Sequence, residues 1–193
     1  MGSQFRTRGY APFNLVHFTC RGYNRRRIFL DKFDHLDFLA TLRGLIDGLT
    51  GDLAPTLLAY AQMPNHQHVF LQAGADGEVM AKLMRSLCTR YALSHNDRHD
   101  LKGPVFQRPF RGKVISGGDY IANTFAYIHL NRDQTLRAEN SSHAYYAGLA
   151  DDPHINPSVA WRVFGGREGY IKFFENTERI RAARSAARRR FEQ

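Results

Sequence analysis

Residues 56–72 read Thr-Leu-Leu-Ala-Tyr-Ala-Gln-Met-Pro-Asn-His-Gln-His-Val-Phe-Leu-Gln. Two short apolar runs, Thr56 to Gln62 and His66 to Gln72, are parted by Met63-Pro64-Asn65. Proline presets one backbone angle of a tight reversal and asparagine tolerates turn conformations, so the stretch is predicted to be a β-hairpin. In its second strand, side chains two residues apart share a face. His66 and His68 therefore project together, while Gln67, Val69 and Leu71 turn towards the core.

Upstream, Phe13 to Thr19 (FNLVHFT) reads as a strand, followed by a basic turn that ends in Arg25-Arg26-Arg27. Asp31 offers a helix N-cap, and Phe33, Leu36, Leu39, Leu42, Leu45, Ile46 and Leu49 recur at helical spacing up to the Gly51-Asp52 breaker. Downstream, a helix is expected over residues 77–96, with Val79, Leu83, Leu87, Tyr91 and Leu93 supplying its apolar stripe. A strand with a basic face is expected over residues 103–116, and a third helix from Gly118-Asp119 to about Asn131. The order β-α-β-β-α-β-α is too tightly spaced for repeated right-handed crossovers. It predicts an α+β fold with an antiparallel, ferredoxin-like or RRM-like sheet and helices packed mainly on one side. Residues 140–157 read as a loop, 158–164 and 167–176 as short helices, and 179–190 as a basic helix or tail. The expected organisation is a basic arm over 1–12, one domain over 13–135, and a mostly helical extension over 136–193.

The composition narrows the partners. In 193 residues there are 27 Lys plus Arg against 18 Asp plus Glu, a net charge of +9 that attracts polyanions, nucleic acid foremost. At 43% hydrophobic residues the chain can bury a core, which excludes wholesale disorder. No apolar run approaches the roughly 20 residues of a bilayer span, and no signal-peptide core stands at the N-terminus. A soluble, cytoplasmic protein with no membrane partner is expected. Cys20 and Cys88 lack metal spacing and are expected to be reduced thiols.

Two features could carry chemistry. The paired imidazoles of His66 and His68 are ready ligands for a divalent metal, or surface histidines of an exposed sheet face. A histidine-triad phosphate site would need a third histidine where Phe70 stands. On the third helix, Tyr127 carries a nucleophilic hydroxyl, and Asn131, four residues on, shares its helical face with a hard carbonyl oxygen. His129 falls on a different face and reads as a packing or surface residue.

The framework N-L-V-H-F-T-x-R-G-x-N-x-x-x-I-F-x-D from Asn14, then M-P-N-H-x-H-V-F-L from Met63, T-R-Y from Thr89, F-Q-R-x-F-x-x-K from Phe106 and Y-I-H-L-N from Tyr127 resembles the IS200-like Y1 transposase family. These are single-tyrosine HUH endonucleases, named for His, a hydrophobic residue, His. Within the family the chain is most similar to REP-associated tyrosine transposases, which carry a C-terminal extension. The resemblance implies DNA cleavage and strand transfer on single-stranded DNA beside a hairpin, through a 5′-phosphotyrosine intermediate. It implies Tyr127 as nucleophile, and His66, His68 and Asn131 as ligands of a divalent metal, Mg²⁺ or Mn²⁺. Gln67 replaces the hydrophobic residue of the strict motif. The family commonly continues Asn-Pro-Val-Arg-Ala-Gly where this chain reads Asn131-Arg132-Asp133-Gln134, which makes Gln134 a second candidate for the third ligand.

Candidate DNA contacts are Arg25, Arg26, Arg27, Arg85, Arg90, Arg108, Arg111 and Lys113. The basic C-terminal segment would add nonspecific electrostatic grip. A non-cleaving protein that binds DNA hairpins is the alternative reading, and both monomer and homodimer are compatible with the resemblance.

Overall fold

The computed structural model describes residues 10–108, 110–130 and 140–191, with side chains of the last helix described as far as residue 182. Four strands, β1 (Leu15–Arg21), β2 (Thr56–Met63), β3 (His66–Gln72) and β4 (Arg111–Ile115), form one antiparallel sheet in the order β2-β3-β1-β4. Helices α1 (Lys32–Asp47) and α2 (Gly77–Arg98) link β1 to β2 and β3 to β4. This is the ferredoxin-like βαββαβ arrangement, with β1 and β3 in the middle of the sheet. The hairpin turns on Pro64 and Asn65, as the 56–72 stretch predicts.

The sheet's two faces differ in chemistry because residues alternate sides along each strand. Val16, Phe18 and Cys20 of β1 and Gln67, Val69 and Leu71 of β3 are fully buried. Cys20 Sγ lies 3.3 Å from Cys88 Sγ on α2, which places α2 over this face. The opposite face carries His17, Thr19, Arg21, His66, His68 and Phe70, matched in register as His17↔Phe70, Thr19↔His68 and Arg21↔His66.

Asp31 starts α1 through a capping box: its side chain accepts from Phe33 N and Asp34 N, and the Asp34 carboxylate accepts from Leu30 N and Asp31 N. That box turns Asp34 inward, so Phe38, Leu39 and Leu42 form the buried stripe while Phe33 and Leu36 lie exposed. Likewise Leu93 of α2 points to solvent, and Met80, Met84 and Cys88 fill the interface with Leu83, Leu87 and Tyr91. The strand expected across 103–116 is shorter than its apolar content suggests. Before β4, the described residues meet the end of β1 through an isolated bridge, with Tyr23 N donating to Val105 O and Gln107 N to Arg21 O.

Helix α3 (Gly118–His129) crosses the second face, where Phe125 meets Phe70 with ring centroids 5.5 Å apart. It stops at His129, with Leu130 as its non-helical cap. Beyond it come α4 (His143–Tyr146), inside the segment expected as loop, α5 (Ser158–Phe164) and α6 (Arg167–Phe191). The short helix and basic segment expected near the C-terminus are one continuous α6.

This extension shares the core of the sheet domain. Tyr146, Tyr170 and Phe174 pack with Phe125 and His129 of α3. Its backbone also covers the outer edge of β2, through Gln62 N to Asn140 O, Ser142 N to Tyr60 O and Asn156 N to Leu57 O, at 2.9–3.0 Å. An open strand edge is a template for unwanted pairing, and the extension removes it. Of the arm expected over 1–12, residues 1–9 lie outside the described residues. Tyr10 is tied down by a bridge to Gly77 and an edge-on contact with Phe18.

Candidate active site

The second face of the sheet brings His66 and His68 together, their ring centroids 5.0 Å apart. His66 is half-buried and His68 is almost fully buried. Each ring is oriented through Nδ1. His66 Nδ1 lies 2.7 Å from Asn65 Oδ1, and the Asn65 amide nitrogen donates to Arg25 O. With the amide oxygen facing the ring, Nδ1 of His66 carries the proton and Nε2 presents a lone pair. His68 Nδ1 lies 2.9 Å from His17 Nε2 and 3.3 Å from Thr19 Oγ1. Donation from His68 Nδ1 to a neutral His17 leaves the same lone pair on His68 Nε2.

The charge balance favours those neutral forms. Burial, reinforced by Lys113, lowers the His17 pKa to about 4. Burial likewise holds His68 well below the ordinary imidazole value, with His17, His66 and Arg21 adding to the effect. His66 is lowered by burial and then by Arg21. Two neutral imidazoles, each held by a hydrogen bond at its far nitrogen, fit the donor set of a divalent metal site.

Tyr127 reaches this pair from α3. Its ring centroid lies 5.2 Å from His68 and 5.9 Å from His17, both edge-on, and the residue is 59% exposed. It stands where two grooves meet. One, of about 480 Å³, is lined by His17, Thr19, Arg111, Lys113, Tyr120 and Asn123 among others. The second, of about 420 Å³, is lined by Arg21, His66, His68, Gln107, Arg108 and Arg111 among others. A smaller recess of about 220 Å³ joins both histidines and Tyr127 to Arg181 of α6. The Arg181 guanidinium donates to Leu130 O at 2.7 Å, so the extension holds the end of the tyrosine helix.

Of the basic residues singled out in the sequence, Arg108, Arg111 and Lys113 line these grooves. Arg25, Arg26 and Arg27 are exposed on a turn docked against the hairpin, where Gly22 N donates to Asn65 O and Ile28 N to Pro64 O. Arg85 and Arg90 are exposed on α2, which covers the sheet's other face, so the fold does not bring them to Tyr127. Asn131 and Gln134 lie outside the described residues. Helix α3 itself ends at His129, with Leu130 as its cap.

His17, Thr19, Arg21 and Arg181 escaped the sequence reading. For the first three a signal exists: period-two alternation in β1 puts them on one face, opposite the histidine strand. Arg181 had none, since nothing in a basic helix marks which arginine folds back. Of the two readings of His129, packing and surface, packing holds. Fully buried, it bonds Ser142 Oγ at 2.7 Å and the Tyr170 hydroxyl at 2.9 Å.

No protein-family profile matches the chain, and neither does any curated protein. Among solved structures it is similar to a REP-associated tyrosine transposase bound to a REP hairpin, at 17% identity and a TM-score of 0.56. That match covers 80% of this chain and 98% of the other. A protein from Deinococcus radiodurans R1, provisionally assigned as a transposase, matches at 18% identity and a TM-score of 0.44, over 66% of this chain and 95% of its own. The chain therefore has the fold of a REP-associated tyrosine transposase.

Proposed function

We propose that the chain is a single-tyrosine HUH transposase that cuts and rejoins single-stranded DNA beside a hairpin. The observation that carries this reading is Tyr127 standing 5.2 Å, ring to ring, from His68, exposed between two arginine-bearing grooves. Exposure beside two oriented imidazoles supports a reacting role for Tyr127 over a packing one.

In the proposed reaction the Tyr127 oxygen attacks phosphorus and loses its proton. The bond from phosphorus to the 3′ oxygen of the preceding nucleotide breaks, and that oxygen leaves as a 3′-hydroxyl. The product is a 5′-phosphotyrosine link that conserves the phosphodiester's energy. A second 3′-hydroxyl reverses the step, so rejoining needs no nucleotide triphosphate. His66 and His68, with Asn131 or Gln134 as the third group, would hold Mg²⁺ or Mn²⁺. Such an ion supplies charge neutralisation at the phosphate oxygens. Arg108, Arg111 and Lys113 would grip backbone phosphates on either side of the reacting one. The strand must be unpaired there, because a sheet face and a helix cannot close on phosphorus inside a duplex.

A single-stranded hairpin oligonucleotide carrying an unpaired flank, incubated with Mg²⁺ or Mn²⁺, should give a nicked strand and a protein–DNA adduct that survives denaturation. Tyr127→Phe should abolish the adduct and keep hairpin binding. An adduct that persists in Tyr127→Phe removes the nucleophile assignment. A second reading, hairpin binding without cleavage, is supported by the sequence Asn131-Arg132, which departs from the family's Asn-Pro. Salt-sensitive hairpin binding with no nicking under either metal would establish that second reading.

A further inference from the structure

A second group of metal-binding side chains lies between the helices on the face of the sheet away from Tyr127. Asp34 sits in the first turn of α1, His95 in the last turn of α2, and His99 caps α2. One donor atom from each falls within 4.8 Å of the others. His95 and His99 are four residues apart, the spacing at which two helical imidazoles stand over one point. His99 Nε2 lies 2.9 Å from Asp34 Oδ1 and 3.1 Å from Oδ2.

An independent observation comes from His95. It is 3% exposed, and neither ring nitrogen has a partner of good hydrogen-bond geometry; the neighbouring Asn96 side chain interacts with the ring without satisfying either nitrogen. A buried imidazole left unsatisfied is costly, and in native proteins such an orphan commonly marks an absent water or ion. Burial also holds its pKa below the ordinary imidazole value, which keeps it in the neutral, ligating form. We propose that Asp34, His95 and His99 bind a transition-metal dication of the Zn²⁺ class, at a site separate from His66 and His68, and that the ion staples the start of α1 to the end of α2.

Two imidazoles and one carboxylate suit Zn²⁺, Co²⁺ or Ni²⁺ better than Mg²⁺, which favours an all-oxygen shell. Arg98 is the obvious competitor, since its guanidinium donates to Asp34 Oδ1 at 2.6 Å and also pairs with Asp31. It need not leave. The ion takes the place of the proton shared between His99 Nε2 and Asp34, while Arg98 and the Leu30 amide, 2.7 Å from Oδ2, stay on the carboxylate and orient it. The His99 side chain is 17% exposed, so the cluster is in contact with solvent at the end of α2.

The test uses the full chain carrying His66→Ala and His68→Ala, so that ions at the other candidate site do not count. Titration with Co²⁺, followed by its visible d–d absorption, and equilibrium dialysis with Zn²⁺ should give one equivalent, and Zn²⁺ should raise the thermal midpoint. Adding His95→Ala should weaken binding by at least about 100-fold and remove the midpoint shift. His99→Gln, at the partly exposed helix end, should do the same and decides the matter if His95→Ala does not fold by circular dichroism. The proposal is overturned if the His66→Ala/His68→Ala chain binds no ion, or if folded His95→Ala or His99→Gln keeps the equivalent.

Discussion

His17 shows how much one residue's neighbours decide. In the sequence it is one apolar-flanked histidine among nine. In the fold its Nε2 meets His68 Nδ1 at 2.9 Å, which sets the ring orientation and tautomer of the candidate ligand beyond it. Outer partners of this kind commonly change metal affinity 10- to 100-fold when removed. If the chain cleaves DNA as proposed, His17→Ala should raise the Mn²⁺ concentration needed for half-maximal cleavage by roughly 10- to 100-fold. Cleavage at saturating Mn²⁺ and hairpin affinity should stay near wild type. Gln at position 17 restores a hydrogen-bonding group and should recover part of the metal affinity. Equal loss at every metal concentration would assign His17 to packing or to direct substrate contact instead. The pair His66 and His68 was legible because strand alternation is a short-range rule. The partner that orients His68 was not, because it comes from 51 residues away.

At the scale of elements, what the sequence makes plain is whatever local chemistry enforces. The 64–65 reversal, the Asp31 cap and the start of α2 at Gly77 all stand where turn and capping residues put them. Errors fall where tertiary contacts override pattern. Phe33 and Leu36 fit a helical stripe, yet the capping box buries Asp34 instead. The basic C-terminal segment reads as a tail but continues α6, whose earlier turns are anchored by Tyr170 and Phe174 in the core. Gly77 shows a constraint that no pattern reveals. A Cβ there would stand 1.5 Å from Tyr10 O, so only glycine lets the N-terminal segment bridge to the start of α2. Gly77→Ala should displace Tyr10 from Phe18 and cost about 1–3 kcal/mol of stability, read as a lower urea midpoint. Deleting residues 1–12 from that variant should cost little more, since the contact is already lost. An unchanged midpoint in Gly77→Ala would mean the bridge contributes nothing to stability.

Across the whole molecule, the +9 charge becomes informative once it is divided by face. Arg21, Arg108, Arg111 and Lys113 line the grooves that meet at Tyr127, whereas Arg85 and Arg90 lie on the far side. Composition could not make that division, because it depends on which face of the sheet α2 covers. If the grooves hold a DNA strand, charges on the two faces must behave differently towards salt. Each phosphate contact on a single strand contributes about 0.7 to the slope of log affinity against log salt. Arg111→Ala with Lys113→Ala should then weaken hairpin binding at low salt and flatten that slope by about 1.4. Arg85→Ala with Arg90→Ala removes the same net charge and should leave the slope within error of wild type. Fluorescence anisotropy from 50 to 300 mM NaCl, with one labelled hairpin and all three proteins, makes the comparison. If both double variants flatten the slope equally, the protein responds to net charge alone, and the grooves beside Tyr127 are not the path of the strand.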